Sequence, residues 1–288
     1  MAQVLKCTPE TYADMTSFIA RRNTIQHCLV LGESVPVVEA DFKMMEYQPL
    51  ENFYIAMKDG KLVGAIGLEH DKYILGPWTE ECESLQGVGQ ILFDHAIQIA
   101  KEKKYPHVTL YVDGASQEVL DFFVENGAKV QGNEWGMELT KGEYPPIETN
   151  PDLSCATVDT PSDIGKQVLE LHTELFGNSV YNQENWERRT RENHIVYGCF
   201  KDSKLLSYAI IQVQEQELYL SHIGTLKSAR GQGSASKLLV HLQEYFLKSG
   251  YSKVFLNVQM KNEGAARLYE RVGFKVSHKA VGLNVPLQ

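Results

Sequence analysis

Glycines and small residues are concentrated in one turn that follows a predicted strand. The segment Arg230-Gly231-Gln232-Gly233-Ser234-Ala235 precedes a run of apolar residues at helical spacing. Gly231 and Gly233 let the backbone turn tightly and approach a ligand without a Cβ in the way. The amides of Gln232 to Ser236 would then lie at a helix N-terminus, where unpaired N–H groups and the helix dipole attract anions. Together with the charge of Arg230, this arrangement predicts a diphosphate site.

Two other glycine-rich phosphate loops do not match this turn. The dinucleotide fingerprint requires a third glycine at position 236, which is Ser236. The Walker loop requires Gly-Lys-Ser/Thr, and that tripeptide is missing here.

A second segment follows after one intervening strand. It runs from Asn262 to Phe274 and reads Asn-Glu-Gly-Ala-Ala-Arg-Leu-Tyr-Glu-Arg-Val-Gly-Phe. It resembles the Asn-x-x-Ala-x-x-Leu-Tyr-x-x-x-Gly-Phe segment of the GNAT N-acetyltransferase superfamily. The glycine turn resembles that family's [Gln/Arg]-x-x-Gly-x-[Gly/Ala] pyrophosphate motif through Arg230, Gly233 and Ala235. The resemblance covers residues 153–288.

The resemblance implies acetyl-CoA as cofactor and assigns roles residue by residue. The strand end Ile223–Thr225 would pair with the pantetheine arm, and one amide would polarise the thioester carbonyl. Tyr269 would protonate the departing CoA thiolate, since a thiol and a phenol have pKa values of roughly 8.5 and 10. The full cofactor-binding set is Ile223, Gly224, Thr225, Arg230, Gly231, Gln232, Gly233, Ser234, Ala235, Ser236, Asn262 and Ala265. Asn262 also suits a helix N-cap.

The implied reaction is direct attack of a neutral amine on the thioester in a ternary complex. In agreement, no Ser-His-Asp or Cys-His arrangement stands out in the sequence. Two candidates for the general base lie on the strand before the turn, Glu217 and His222. His222 is expected to titrate near neutral pH. A histidine or glutamate on a strand is more often solvated or structurally bonded, and this alternative stays open for both residues.

The elements that position these residues occur twice in the chain. Gln86-Gly87-Val88-Gly89 aligns with Gln232-Gly233-Ser234-Ala235, 146 positions further on. The same offset relates Tyr105 to Tyr251, Val108 to Val254, and Gly127 to Gly273. Two copies of one fold explain this self-similarity.

Periodicity in the second copy predicts strands that alternate with helices. Helical spacing runs from Pro161 to Phe176 and from Ala235 to a stop at Gly250, with a short helix over 264–271. Strand patterns cover 195–200, 205–213, 217–226, 253–258 and 274–281, and Lys201-Asp202-Ser203-Lys204 suits a hairpin turn. This order predicts an α/β fold with a mixed sheet and helices on its faces.

A proline-rich connector predicts the domain boundary. Residues 141–152 contain three prolines, which disfavour a helix or a central strand. We therefore expect a GNAT-like domain over 1–140, a linker over 141–152 and a catalytic GNAT domain over 153–288.

The first copy lacks the groups that carry chemistry in the second. Arg230 and Gly231 correspond to Ser84 and Leu85, Tyr269 to Phe123, Asn262 to Ser116, and Phe274 to Ala128. Pro77 and Trp78 lie where the cofactor-side strand should end. Because Gly87 and Gly89 are retained, the tight turn is expected to persist without its charge. The first domain is interpreted as degenerate, kept for structure or substrate shaping, with residual CoA binding left open.

Composition excludes several other classes of function. The 288 residues carry a net charge of −9, which disfavours nucleic acid as a partner. The five cysteines are far apart and the nine histidines lack ligand spacing, so neither a disulfide framework nor a metal site is expected. No apolar run approaches the roughly 20 residues that span a bilayer, and the N-terminus has no signal core. A cytoplasmic protein that does not bind membranes is the expectation.

The sequence thus predicts a tandem GNAT protein whose second domain acetylates a small-molecule or peptide amine. Candidate acceptors are an antibiotic amine, a polyamine, an amino acid, a peptide N-terminus, or a small glycosidic thiol or amine. The alternatives are a non-catalytic acyl-CoA-binding or sensor protein and a purely structural interaction module. The presence of Tyr269 favours an enzyme over a sensor, and the intact glycine turn argues against a structural module. The oligomeric state is not predicted.

Overall fold

The computed structural model describes residues 2–26, 52–68, 72–80, 83, 85–177, 181–191, 193–214 and 216–287. The chain divides into two compact units. The first comprises Met1–Gly136 and His278–Gln288, and the second comprises Met137–Ser277.

The first unit contains two sets of paired strands. The first four strands form a sheet in the order β1-β2-β3-β4, and a second set has the order β5-β12-β6. The strands are β1 (Gln3–Lys6), β2 (Phe53–Lys58), β3 (Lys61–Leu68), β4 (Ile74–Thr79), β5 (His107–Asp113), the first part of β6 (Lys129–Thr140) and most of β12 (Lys275–Pro286). The helices are α1 (Tyr12–Gln26), α2 (Gln90–Glu102) and α3 (Gln117–Glu125).

The second unit has a mixed sheet in the order β6-β11-β10-β9-β8-β7. Strands β10 and β11 run parallel, whereas β7, β8, β9 and β10 form an antiparallel series. The new strands are β7 (Ser154–Thr157), β8 (His194–Lys201), β9 (Lys204–Gln214), β10 (Glu217–Thr225) and β11 (Lys253–Gln259). The helices are α4 (Asp163–Phe176), α5 (Trp186–Arg191), α6 (Ser234–Lys248) and α7 (Glu263–Val272). This mixed architecture confirms the predicted fold class and the element positions in the second copy.

Helix α4 illustrates why the local sequence gives these elements. The Ser162 hydroxyl caps its start by accepting a hydrogen bond from the Gly165 amide at 3.1 Å. Its apolar stripe then buries Val168 and Leu171 in the core of the second unit. The helix ends at Gly177, whose φ of 78° lies in the left-handed region.

The repeat predicted from sequence is present as a repeat of structure. Among the described residues, the two halves share the same order of elements apart from α5, and β5, α3 and β6 correspond to β11, α7 and β12 at the offset of 146. Both β2–β3 and β8–β9 are joined by turns with two left-handed residues, Asp59-Gly60 and Asp202-Ser203. These are the dihedral signs of the hairpin turn that matches strand twist.

The two units do not follow the predicted division at the connector. Strand β5 pairs with β12, from Asp113 opposite Ala280 to His107 opposite Pro286. The end of β6, after Gly136, belongs to the second unit, where β6 neighbours β11. The first copy therefore receives most of β12 from the second copy, and the second copy receives the end of β6 from the first. Residues 278–288 complete the first unit and not the second.

The connector 141–152 contains no helix or strand, as its prolines predict, and it belongs to the second unit. Lys141 Nζ donates to the Ser249 carbonyl at 2.9 Å and to that of Phe246, at the end of α6. Tyr144 packs so closely on Gly273 that a Cβ there would come within 2.4 Å of its ring. The connector is thus held against the unit that carries the glycine turn.

Among the described helices, none combines the length and apolar character needed to cross a bilayer.

Candidate active site

Strands β10 and β11 separate part of the way along their length. Of the described residues of β10, those that pair with β11 are Glu217, Leu218 and Tyr219. The register of β10 against β9 then shifts between Leu220 and His222, while Ile223–Thr225 continue to pair with β9. A bulge of this kind bends a strand and re-aims its side chains. Ile223–Thr225 thus pair with β9 but with no described residue of β11, which leaves a gap in the pairing between β10 and β11 along these residues.

The glycine turn lies just beyond this strand end and opens helix α6. Gly231 and Gly233 have φ values of 76° and 86°, a conformation that side chains with a Cβ rarely adopt. A Cβ added at either glycine would meet no atom within 4 Å. Glycine is therefore required here by the backbone conformation, and the space over the turn is open for a ligand.

The amides at the start of α6 are available as hydrogen-bond donors. Gly233 is the N-cap and no side chain caps the helix, whose backbone bonding begins with the Lys237 amide on the Gly233 carbonyl at 2.9 Å. The amides of Ser234, Ala235 and Ser236 thus have no partner within the helix, as is general for a first turn. The Ser234 hydroxyl is buried and also without a hydrogen-bond partner.

Two arginines bring positive charge to this turn. Arg230 is exposed immediately before Gly231. Arg271, in the last turn of α7, donates from Nη2 to the Ser236 hydroxyl at 2.8 Å. Arg271 was not recognised from the sequence, because nothing in its local pattern indicates that α7 ends beside the start of α6.

Helix α7 carries the predicted tyrosine and asparagine. Tyr269 is 6% exposed, and its ring lies edge-on to Phe274 at 5.8 Å. Burial raises the pKa of Tyr269 to about 12, so the phenol is protonated at neutral pH. Asn262 caps the helix by accepting from the Ala265 amide at 3.3 Å. The catalytic candidate and the cofactor candidate therefore lie on one helix, seven residues apart.

His222 lies directly after the bulge of β10. Its Nδ1 is 3.2 Å from the Ser221 hydroxyl, and its ring packs on those of His172 and Phe176 at centroid distances of 4.7 and 5.1 Å. Burial, with further contributions from His172 and His194, lowers the pKa of His222 to about 4. The expectation that His222 titrates near neutral pH is therefore wrong, because the sequence does not show the aromatic surroundings that desolvate it.

These surroundings form a group that we call the histidine cluster. Its members come from helix α4, strands β8, β9 and β10, and the residue Tyr181: His172, Phe176, Tyr181, His194, Tyr208 and His222. His172 Nδ1 is 2.9 Å from the Tyr208 hydroxyl, and the Tyr181 hydroxyl is 3.1 Å from His194 Nε2. Burial also lowers the pKa of His172 to about 4. The sequence did not reveal this cluster, since its members are scattered over about fifty residues.

Gly224 adjoins the cluster and is fixed by packing. A Cβ on Gly224 would come within 2.4 Å of Tyr208 Cε1 and 2.8 Å of Leu175 Cδ1. The glycine in the predicted cofactor strand therefore accommodates the ring of Tyr208.

Glu217 is not brought together with the other candidates. It lies at the paired end of β10, where its carboxylate is 3.5 Å from Lys253 Nζ, and Lys253 also pairs with Glu138 at 3.1 Å. At about 3.3 Å per residue, the eight steps to Thr225 correspond to roughly 26 Å. The surroundings of Glu217 are those of a structural ion pair.

The first unit does not retain the glycine turn. Leu85–Gly89 instead form a π-helical turn that continues directly into α2, and Gly89 has φ −57° and ψ −44°. Neither Gly87 nor Gly89 has a positive φ. The expected persistence of the tight turn is therefore wrong, because burial of Leu85 and Val88 in the core favours a helix over an open loop. Ser84 lies outside the described residues, as do Cys28 and Cys82.

Several residues of the first unit that correspond to site residues of the second are buried in its core. Phe123, at the Tyr269 position, is fully buried against Phe93 and Phe122 at 5.4 and 5.1 Å. Ser116, at the Asn262 position, does not cap α3 through its side chain. Trp78 is fully buried beside Pro77 at the end of β4, and Ala128 replaces Phe274. Phe123, Trp78 and Ala128 are thus packed in the core of the first unit.

The chain belongs to the Acetyltransferase (GNAT) family, which it matches over residues 23–128 and 165–274. The two matched segments fall in the two copies of the repeat. Over 94 residues it is 28% identical to the [Ribosomal protein bS18]-alanine N-acetyltransferase of Escherichia coli K12, covering 33% of this chain and 64% of that protein. Over 122 residues it is 25% identical to the probable N-acetyltransferase san of Drosophila melanogaster, covering 41% and 65%. The chain thus spans just under two thirds of each of these relatives.

Solved structures show the same fold over the whole chain. A GCN5-related N-acetyltransferase from Sphaerobacter thermophilus superposes with a TM-score of 0.81 at 18% identity, covering 100% of this chain and 96% of that one. A tandem GNAT protein from the clavulanic acid biosynthesis pathway gives a TM-score of 0.74 at 16% identity, covering 100% and 99%. At these identities the likeness concerns the fold alone, and it agrees with the tandem arrangement predicted from the repeat.

Proposed function

We propose that this protein is an acetyl-CoA-dependent N-acetyltransferase whose active site lies in the second unit. The observation that carries the proposal is the open glycine turn at the start of α6, next to the gap between β10 and β11. The corresponding turn of the first unit is helical and buries Leu85 and Val88. Family membership supports the reaction class, and the names of the relatives support an amine as acceptor.

The donors around the turn suit the diphosphate of acetyl-CoA. The first-turn amides of α6 offer N–H groups to phosphate oxygens, and Arg230 and Arg271 offer charge. The edge of β10 at Ile223–Thr225 would hold the amides of the pantetheine arm, and Asn262 and Ala265 on α7 remain candidates for contact with that arm. The bound cofactor supplies an acetyl thioester, which is activated toward attack by an amine. One amide of the β10 edge would donate to the thioester oxygen.

Tyr269 would donate a hydrogen bond to the departing sulfur. With a pKa of about 12 it is protonated throughout the physiological range. Complete proton transfer to a thiolate of pKa roughly 8.5 is uphill by about 3.5 units, on the order of 5 kcal/mol. We therefore propose that Tyr269 stabilises the thiolate by hydrogen bonding, and that the net proton comes from the amine.

His222 is the remaining candidate for contact with the acceptor amine. Its lowered pKa keeps the imidazole neutral, so it can accept a hydrogen bond but is a weak base. A neutral amine acceptor requires no strong base, which fits this environment. We do not assign a catalytic role to Glu217.

Calorimetric titration with acetyl-CoA tests the proposal. We expect wild type and Gly87→Trp to bind one equivalent, and Gly233→Trp to bind none. Two equivalents in wild type would show that the first unit also binds cofactor. No binding at all would rule out the acetyltransferase assignment.

An acceptor screen then separates an enzyme from a non-catalytic acyl-CoA sensor. The panel should contain a polyamine, an aminoglycoside, free amino acids and a peptide with an N-terminal alanine. Release of free CoA thiol that depends on one of these amines supports the enzyme. Tight binding without thiol release across the panel supports the sensor.

A further inference from the structure

Two cysteines that are far apart in sequence lie opposite each other in the sheet of the second unit. Cys155 on β7 is the register partner of Cys199 on β8. In the same antiparallel pair the Val158 amide donates to the Val196 carbonyl at 2.8 Å, which makes 158 and 196 a hydrogen-bonded pair. Because the two types of pair alternate along the strands, Cys155 and Cys199 form a non-hydrogen-bonded pair.

This register places the Cys155 and Cys199 side chains close enough for a disulfide bond to form. Non-hydrogen-bonded antiparallel pairs have Cα atoms about 4.5 Å apart and side chains closer than in the other pairs. Disulfides span Cα separations of roughly 4.4–6.8 Å. Both thiols are free, and each shifts the pKa of the other, as neighbouring side chains do. A bond between the sulfur atoms therefore needs little movement of the backbone.

The surroundings of the two thiols differ in a way that suits stepwise oxidation. Cys155 is half-buried on the edge strand β7, whereas Cys199 is fully buried. The neighbouring Cys155 thiol lowers the pKa of Cys199, helped by the charge of Lys237, which lies in the first turn of α6. The Cys199 thiol, together with burial, raises the pKa of Cys155.

We propose that Cys155 and Cys199 form a dithiol modification site that hydrogen peroxide oxidises to a reversible cross-strand disulfide. The Cys199 thiol loses its proton to solvent, and the thiolate attacks a peroxide oxygen and becomes a sulfenic acid, with release of hydroxide. The hydroxide takes the proton from Cys155 and becomes water, and the Cys155 thiolate attacks the Cys199 sulfur and expels a second hydroxide. The proton first lost by Cys199 converts this second hydroxide to water. The two thiols lose two electrons and two protons, and one peroxide becomes two waters.

The disulfide would tie the edge strand β7 to β8 and close a loop that contains α4 and α5. Closing a loop of this length restricts the unfolded chain and stabilises the native one. Cys7 provides an internal comparison, because it is buried in the first unit with its sulfur next to the Thr11 hydroxyl at 3.6 Å. Among the described cysteines, Cys155 and Cys199 are therefore the two that can form an intramolecular disulfide.

The test is oxidation of the folded, fully reduced protein with one equivalent of hydrogen peroxide, followed by alkylation and peptide mapping. We expect a peptide pair joined through Cys155 and Cys199, a mass lower by two hydrogens, and a thermal midpoint raised by several degrees. Dithiothreitol should reverse all three changes. Cys7→Ser should behave like wild type, and Cys155→Ser and Cys199→Ala should lose the cross-link.

Three outcomes would overturn the proposal, and all are read from the wild type, so they do not depend on how the variants fold. They are sulfinic or sulfonic acid at Cys199 or Cys155 without a cross-link, a disulfide between other cysteines or between two chains, and no reaction under conditions that oxidise the unfolded chain.

Discussion

Arg271 Nη2 donates to Ser236 Oγ at 2.8 Å and thereby joins the end of α7 to the first turn of α6. Helix α7 carries Tyr269, and α6 carries the amides proposed to bind the diphosphate. One hydrogen bond thus connects the two elements that the sequence motifs identified separately. It also holds the Arg271 guanidinium, which is not a defined position of either motif, next to the first turn of α6.

Replacing Arg271 should weaken cofactor binding more than it affects turnover. Arg271→Ala removes a charged donor next to the proposed diphosphate, and a hydrogen bond to a charged group contributes roughly 1.5–3 kcal/mol. Because Arg271 is exposed, we expect the lower part of that range, about a tenfold rise in the KM for acetyl-CoA. Arg267→Ala on the same helix is the control, since Arg267 pairs with Glu263. Equal effects of the two changes would contradict a specific role for Arg271.

The left-handed conformation of Gly233 gives a second test. Gly233→Ala adds a Cβ in open space, so its effect comes from backbone conformation, roughly 1–2 kcal/mol. We expect about a tenfold loss of acetyl-CoA affinity by calorimetry, as the turn relaxes and its amides shift. Gly250→Ala, just beyond the other end of α6, has no positive φ and should bind as wild type does. Normal affinity in Gly233→Ala would show that the amides of the turn do not bind the cofactor.

Tyr269→Phe should lower kcat with little change in cofactor affinity. Loss of one hydrogen-bond donor directed at developing negative charge costs about 100-fold in rate. Because the pKa of Tyr269 is about 12, kcat of the wild type should not fall between pH 7 and 10 through ionisation of this phenol. Steady-state rates and calorimetry on both proteins test this expectation. An unchanged kcat in Tyr269→Phe would remove the residue from the mechanism.

The buried histidines should make the second unit sensitive to acid. The folded pKa of His172 is about 4, below the unfolded value of roughly 6.5. Above pH 6.5 the residue is neutral in both states and contributes no pH dependence. As the pH falls from 6.5 toward 4 the unfolded chain takes up the proton and the folded one does not, so stability falls, by about 2 kcal/mol per histidine at pH 5.

Denaturant unfolding at pH 7 and pH 5 measures this loss. His172→Gln should flatten the pH dependence by about 2 kcal/mol, whereas His107→Gln, in the first unit, controls for the loss of an imidazole elsewhere. The same slope in both variants would show that the histidine cluster is protonated in the folded state.

The two hairpin turns form a matched pair for a stability test. Ser203 adopts φ 62° where its counterpart Gly60 adopts φ 73°. Ser203→Gly should stabilise the second unit by up to about 1 kcal/mol, and Gly60→Ser should destabilise the first by a similar amount. The thermal unfolding midpoints of the two variants, compared with that of the wild type, test both expectations. Destabilisation by Ser203→Gly would mean that the interactions of the Ser203 side chain stabilise the fold by more than the left-handed backbone conformation destabilises it.

The local sequence pattern was sufficient to predict those elements whose structure depends on residues that are neighbours in the chain. The helix over 163–176, the hairpin at Asp202-Ser203 and the glycine turn at Gly231 and Gly233 all follow from spacing and backbone preference. The family match and the repeat also agree with the sequence motifs. These features depend on short-range periodicity, which a single sequence displays.

Features that depend on distant partners were missed or misjudged. The turn at Gly87 and Gly89 was expected to stay open, but Leu85 and Val88 gain more by packing into the core as a helix. The low pKa of His222 depends on residues from α4 and β8, and the pairing of β5 with β12 depends on strands far apart in the chain. No local sequence pattern indicates whether β12, the final strand, will pair with β5 or with β11.

That pairing has a consequence for the order in which the protein is made on the ribosome. Strand β5 emerges early, but its partner β12 is translated only after almost all of the second copy, on the order of ten to thirty seconds later. During that interval the nascent first unit carries an unpaired strand edge, the kind of surface that recruits other chains. Completion of the first unit therefore waits for the end of the second, and a nascent chain that stalls between them leaves an unfinished fold on the ribosome.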